Sequence, residues 1–226
     1  MAEAQGRIAL VETLRSLDSC AVSDALDMLG LAGAVAGLKP MWEPGRVVAG
    51  VARTVAVAPK TSAGPGAHVA TALVDAADKD DIIAIDNHGR TDVSCWGGLL
   101  AEAAIQRGIA GVVVDGACRD VQECEALGLP VFARGAVPVS ARGRIVQRDM
   151  DVPIQVGNVA VSPGDLVIAD RNGIVFVSRD RADAVLDLAA RIVAREAAMG
   201  AAVRSGRSVL DVMHDSQFPS VGESLR

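Results

Sequence analysis

The stretch that decides the fold is "GVVVDGACRDVQE", residues 111–123. Behind Gly111, residues Val112 to Val114 form a β-branched apolar run that is short and bounded by glycine, which reads as a buried strand. The run ends by gathering Asp115, Arg119, Asp120 and Glu123 within a few residues. A helix over roughly Asp120 to Leu127 follows, and "LPVFARG" at 129–135 is the next strand. Strand, charged turn, helix and strand make the repeating unit of a partly parallel α/β layer.

The same rhythm extends upstream. "RVVAGVARTVAVA" at 46–58 is a Val-rich strand, a helix covers about His68 to Ala77, "DIIAID" at 81–86 is a short strand, and a helix starting near Gly97 runs through "LLAEAAIQRG". Ahead of these, "GRIALVETLRSL" and "SCAVSDALDMLG" read as two short helices, and "LAGAVAGLKPMWEPG" as a connection punctuated by Gly and Pro. Beyond Gly135 the pattern is strand and turn: "RGRIV", "IQVGNVAVSPGDLVIAD" and "RNGIVFV", with tight turns at Gly157-Asn158 and Asn172-Gly173. A long helix begins near Asp180 and places Val185, Leu188 and Ile192 on one face. One α/β domain over residues 1–199 is expected, with strands in more than one layer and helices outside. Residues 200–226 read as a tail or an arm on a neighbouring subunit, the stretch "SGRSVLDVMHDSQFPSVGESLR" having too few periodic apolar residues to fix its state.

At 226 residues and 50% hydrophobic content the chain can bury a sizeable core. Aromatic residues make up 2% and tyrosine is absent, so Val, Ile, Leu and Ala must build that core, and base-stacking platforms have little to work with. A net charge of −6 and a pI near 5.1 argue against a general nucleic-acid binder. The local run of Arg142, Arg144 and Arg148 reads as a solvated loop or strand face. Cys20, Cys95, Cys118 and Cys124 form no CxxC pair, the start lacks a signal-peptide pattern, and no apolar run reaches the roughly 18 residues of a membrane span. A reduced, soluble, cytoplasmic protein is the expectation.

Chemistry concentrates at two turns. In "WGGLLAEAA", Gly97 and Gly98 open a helix and leave room beside backbone N–H groups that can receive a carboxylate or phosphate. Arg119 and Asp120 follow the next strand, so adjacent strands would put a helix end, a guanidinium and a carboxylate in one crevice. That set suits a small 2-oxo acid, its oxygens held by N–H groups and Arg119, with Asp120 ligating a divalent cation that polarises its carbonyl. His68, His88 and His214 are widely spaced and the cysteines are scattered, which favours an oxygen-rich Mg or Mn site over zinc. None of Lys39, Lys60 and Lys79 stands at the Arg119 turn, so a Schiff-base lysine is a poor choice. A structural reading competes: the glycines make a tight turn, Arg119 pairs with Asp120 or Glu123, and Asp120 caps the following helix.

Read across residues 20 to 195, "CAVSDAL", "WGGLLAEAAIQRGIAGVVVDGACRDVQECEALGLPVFARG" and "VSPGDLVIADRNGIVFV" resemble the RraA-like family of class II pyruvate aldolases, which includes 4-hydroxy-4-methyl-2-oxoglutarate/4-carboxy-4-hydroxy-2-oxoadipate aldolase. The family pattern is a glycine, twenty intervening residues, Arg-Asp, and an acidic residue three positions after the Asp; Gly98, Arg119, Asp120 and Glu123 fit it. The resemblance implies an α/β/β/α sandwich related to swivelling phosphohistidine domains, assembled as homotrimers or homohexamers. It implies that Gly97, Gly98, Leu99 and Leu100 bind the substrate, that Arg119 contacts its keto or carboxylate oxygens, and that Asp120 holds the metal. Arg119 and Asp120 are then the catalytic residues, with Asp115, Glu123 and Glu196 around them, Glu196 supplied by a neighbouring subunit. One departure carries chemical weight: many aldolase members have Asp or Glu where this chain has Gly98. Aldol cleavage of a 4-hydroxy-2-oxo acid to pyruvate and decarboxylation of oxaloacetate share one enolate and so one site. Some relatives are instead described as inhibitors of an RNA-degrading endonuclease, a protein-binding role that calls for an exposed acidic surface.

Overall fold

The structure, a computed structural model, describes residues 2–61 and 66–214. In chain order the elements are α1 (Ala2–Arg15), α2 (Ser19–Met28), β1 (Ala34–Val35), β2 (Lys39–Pro40), β3 (Val48–Pro59), α3 (Thr71–Ala76), β4 (Asp81–Ser94), α4 (Gly98–Arg107), β5 (Gly111–Cys118), α5 (Val121–Ala126) and β6 (Val131–Ala136). The second half continues with β7 (Ile145–Met150), β8 (Ile154–Val156), β9 (Val159–Val161), β10 (Leu166–Ala169), β11 (Ile174–Val177), α6 (Ala182–Arg204) and α7 (Val209–Val212). Strands β3, β4, β5 and β6 pair in parallel, and β10 and β11 extend the same sheet antiparallel beyond β3.

The sheet is rolled, and its connectivity says why. Its strands run β1-β11-β10-β3-β4-β5-β6-β2, with β7 also paired to β3. Laid flat, eight strands would put the two edges about 34 Å apart at a spacing near 4.8 Å. Yet β1 and β2 occupy opposite edges while only residues 36–38 separate them in the chain, a reach of no more than about 14 Å. The Gly- and Pro-punctuated connection therefore holds two short strands that staple the edges near each other.

Alternation along β3 shows the resulting layers. Val48, Ala52 and Ala56 face an inner core shared by Ile82, Val113 and Phe132 from one half of the sheet and Val167 and Phe176 from the other. On the outer face, Ala49 and Val51 pack under α1, α2 and α6, whereas Val55 and Val57 join the layer containing Leu73, Ala101, Ala104 and Cys124 of α3, α4 and α5. The molecule is thus a mixed α/β single domain in which two halves of one sheet face each other and helices cover both outsides. Asp81 fastens α1 to this frame: its buried carboxylate accepts from Arg7 Nη2 at 2.7 Å, Arg53 Nη1 at 3.3 Å and Asp78 N at 2.7 Å.

Two boundaries differ from expectation. Strand β4 continues to Ser94 because the polar segment 87–93 bulges out between paired positions Asp86, Arg90 and Ser94, a pattern with no period-2 signal. Helix α6 runs to Arg204, past the boundary expected at 199, and Val212 of α7 is buried; residues 215–226 of the expected tail lie outside the described residues. No helix among the described residues is long and apolar enough to cross a membrane.

Candidate active site

Strands β4 and β5 are parallel neighbours, and their pairing continues past the strand ends. Cys95 N donates to Ala117 O and Arg119 N to Trp96 O, each at 3.0 Å. These two bonds draw the glycine turn alongside the Arg-Asp turn, meeting the condition the sequence set. Asp120 has φ 55°, in the left-handed region that Asp tolerates better than most residues. It occupies the N-cap position of α5, but its side chain makes no capping bond there. Instead Asp120 Oδ2 accepts from Gly98 N at 3.0 Å and lies 3.2 Å from Arg119 Nε. The helix-cap alternative is therefore set aside: this carboxylate serves the first turn of α4. Both side chains of the pair are partly exposed, 41% and 32%, so their contact positions the groups more than it stabilises the fold.

Helix α4 has no side-chain cap of its own, because Gly97 is its N-cap. Gly98 N is taken by Asp120 and Ala101 N by Gly97 O, while the N–H groups of Leu99 and Leu100 have no partner among the described residues. Such open donors, at the positive end of the helix, favour an anion. Leu99 is 88% exposed, so its value to the site lies in its backbone.

Close approach explains both glycines. A Cβ on Gly97 would lie 2.7 Å from Asp120 Oδ2 and 3.1 Å from Arg119 Nε, and a Cβ on Gly98 would overlap Glu123 Oε2 at 1.7 Å. Glu123 thus holds its carboxylate where a side chain at position 98 would begin, which gives the departure at Gly98 a physical counterpart. A cavity of about 330 Å³ opens beside this cluster, bounded by residues 94–100, Arg119 and the loop at 140–142. Sequence reasoning missed that far wall. It is fastened by Ser94, whose N and Oγ both donate to Val139 O at 2.9 and 2.7 Å, a contact 45 residues apart with no local signal. It also missed Trp96, buried with its indole N–H unpartnered among the described residues.

Two expected neighbours are not brought to the cluster. Asp115 points to the inner core face, as its alternation with Val114 requires, and its carboxylate is held by Arg134 Nε at 2.5 Å and Gly157 N at 2.7 Å. Glu196 is exposed on α6, in the opposite helical layer, so only another subunit could supply it. The cysteines are less scattered than their numbering suggests: Cys95, Cys118 and Cys124 share one apolar core cluster beneath the site. Burial pushes all three thiols up, Cys118 to about 12 and Cys124 to about 11, which favours their neutral form near pH 7. No group of three or more His, Cys, Asp or Glu among the described residues could enclose a metal. A hard cation of the Mg type needs only one or two carboxylates and keeps its waters, and Asp120 with Glu123 gives an oxygen-only set of that size.

Residues 19–176 match the family described as RraA-like, Aldolase/RraA. The chain belongs to the RraA-like family. A Halalkalibacterium halodurans protein provisionally named 4-hydroxy-4-methyl-2-oxoglutarate aldolase is 35% identical over 213 residues, covering 92% of this chain and 97% of its own length. Protein DlpA of Legionella pneumophila is 32% identical over 206 residues, 91% of this chain, but this chain spans only 33% of DlpA. Among solved structures, a Streptomyces coelicolor protein titled an unusual member of the RNase ES inhibitor RraA family superposes with a TM-score of 0.76 at 28% identity, covering 83% of this chain and 93% of that one. Among these relatives, the Halalkalibacterium halodurans protein carries an aldolase name and the Streptomyces coelicolor protein a ribonuclease-inhibitor family name.

Proposed function

We propose that this RraA-like protein is a divalent-metal-dependent aldolase that cleaves a 4-hydroxy-2-oxo acid of the 4-hydroxy-4-methyl-2-oxoglutarate type to pyruvate and a second carbonyl compound, and that it also decarboxylates oxaloacetate. The observation that carries the reading is the meeting of Gly98 N, Arg119 and Asp120 at the open first turn of α4. The N–H groups of Leu99 and Leu100 bind the substrate carboxylate, and the Arg119 guanidinium, whose Nε faces Asp120, offers its remaining donors to the 2-oxo group. Cleavage moves the C3–C4 bonding pair onto the pyruvate fragment as an enolate, the C4 hydroxyl becomes the second product's carbonyl as its proton passes to water, and C3 of the enolate takes a proton from water to give pyruvate. Asp120 would hold Mg or Mn, which would supply positive charge to stabilise the enolate. Arg119 adds fixed charge at the same place, which lowers the barrier only insofar as it grows stronger in the transition state.

The site is completed in a homotrimer or homohexamer, the arrangement in which Glu196 of one subunit approaches the cluster of another. Light scattering at working concentration should give a multiple of three, and an active monomer would remove Glu196 from the account. A panel of 4-hydroxy-2-oxo acids and oxaloacetate, assayed for pyruvate after chelation and metal replacement, tests the chemistry. Full activity without metal, with a borohydride-trappable adduct, would overturn it. The regulatory reading rests on the inhibitor names; it predicts no pyruvate from any member of that panel and tight binding to an RNA-degrading endonuclease.

A further inference from the structure

Aldol cleavage needs a group that receives the C4 hydroxyl proton and gives one back at C3, and the glycine turn supplies none. Position 98 carries no side chain, and the carboxylates of Asp120 and Glu123, the oxygen set assigned to the cation, do not line the cavity. The hydroxyls of Thr71, Ser94 and Ser140 and the guanidinium groups of Arg119 and Arg142 do line it, but they keep their protons near neutrality. Cys95 shares the wall, with its thiol pushed up by burial. Imidazole is the side chain that exchanges a proton in that range, and among the described residues His68 brings the only one to this cavity.

His68 is placed by its backbone and left free at its ring. Gln147 of β7 grips the loop on both sides of it: its N–H donates to Ala67 O at 3.1 Å and its Oε1 accepts from Ala70 N at 2.9 Å. Thr71 Oγ1 donates to His68 O at 3.2 Å. The residue is exposed, and its imidazole has no partner among the described residues. By contrast the ring of His88 is fixed at both nitrogens, 3.1 Å from Asp86 Oδ1 and 3.1 Å from Val57 O. The charged groups lining the two cavities that His68 borders are Arg119, Arg142 and Lys60, so no carboxylate there competes for its ring.

We propose that His68 is the general base of the cleavage, acting through one cavity water. The water that takes the C4 hydroxyl proton passes one to the imidazole as the C3–C4 bond breaks. The imidazolium then returns a proton by the same route to C3 of the enolate, so pyruvate forms with no net proton gained or lost. A base within reach through one water suffices for such a transfer. This inference rests on the proposed aldol cleavage.

Two readouts on the full chain with saturating Mg test it. One is single-turnover cleavage of 4-hydroxy-4-methyl-2-oxoglutarate. The other is exchange of the pyruvate methyl protons in heavy water, followed by NMR, which needs enolate formation and C3 protonation but no bond cleavage between carbons. His68→Gln should lower both by about a hundredfold, with calorimetric pyruvate binding and the melting curve unchanged. His68→Ala should recover about tenfold or more when imidazole is added, and the recovery should saturate. Cleavage and exchange in His68→Gln within about threefold of the unmodified protein overturn the proposal. So does a rate loss matched by a loss of pyruvate binding, or one that imidazole does not repair. Where the unmodified protein and His68→Gln both cleave and exchange, only this inference falls. An unmodified protein that does neither loses the aldolase reading and this inference with it.

Discussion

Asp120→Asn isolates the one charge on which the proposed chemistry turns. Asn is nearly the same size, and like Asp it tolerates the left-handed φ of 55° at this position. Its side-chain oxygen can still accept from Gly98 N, now 3.0 Å away, so what disappears is the negative charge beside Arg119 Nε at 3.2 Å. With the side chain 32% exposed, weakening these contacts should cost folding about 1 kcal/mol, which lowers Tm by about 2–4 °C for a chain of this size. Turnover should fall far more, by about 10²–10³, on the scale of removing one preorganised electrostatic contact from an active site. The matching measurement is single-turnover pyruvate release at saturating Mg, paired with calorimetric metal titration and a melting curve. Asp120→Ala serves as a comparator, since it adds about 1–2 kcal/mol of left-handed strain and should melt lower than Asn at similar residual activity. Normal metal affinity and normal turnover in Asp120→Asn would refute the reasoning, leaving the carboxylate as no more than a tie for the α4 turn.

Other outcomes follow from the same geometry. Gly98→Asp should fold, since Glu123 is a flexible side chain that can swing aside, but it should crowd two carboxylates at one helix end and alter the pH dependence of turnover; a crystal structure with Glu123 unmoved would contradict this. Asp81→Ala should destabilise the protein by about 1–3 kcal/mol, because it removes the buried acceptor of Arg7 Nη2 and Asp78 N while Arg53 keeps Asp151, and denaturant melts will read the loss. Native protein at pH 8 should take up one equivalent of a thiol reagent, at the exposed Cys20, and four after unfolding. Because burial raises Cys118 to about 12 and Cys124 to about 11 from 9.0, the unfolded chain loses those protons first, so stability should fall as pH rises from about 9 towards 12.

How much of this was legible beforehand depends on the range of each signal. The βα units around 111–123 and 97–107 declared themselves through local periodicity, and the Gly98, Arg119, Asp120 cluster followed because two parallel neighbours place their C-terminal turns side by side. Rolling of the sheet was illegible, since β1 and β2 are two residues each and owe their existence to partners in β11 and β6 more than 90 residues away. Asp115 misled for a simpler reason. Proximity in sequence to Arg119 suggested a shared site, whereas strand alternation turns its side chain to the other face of the sheet, where Arg134 holds it. The far wall of the cavity at 140–142 was visible only as a basic run, because the bonds from Ser94 that fasten it are tertiary.

Stoichiometry of cleavage tests the central claim most directly. Breaking the C3–C4 bond of 4-hydroxy-4-methyl-2-oxoglutarate gives pyruvate from each half, so purified protein with Mg or Mn should release two molecules of pyruvate per substrate consumed, without carbon dioxide. After chelation the release should stop, and it should return when the metal is restored. Substrate left intact in the presence of metal, or consumed with loss of carbon dioxide and no pyruvate, would contradict an aldolase built on Gly98, Arg119 and Asp120.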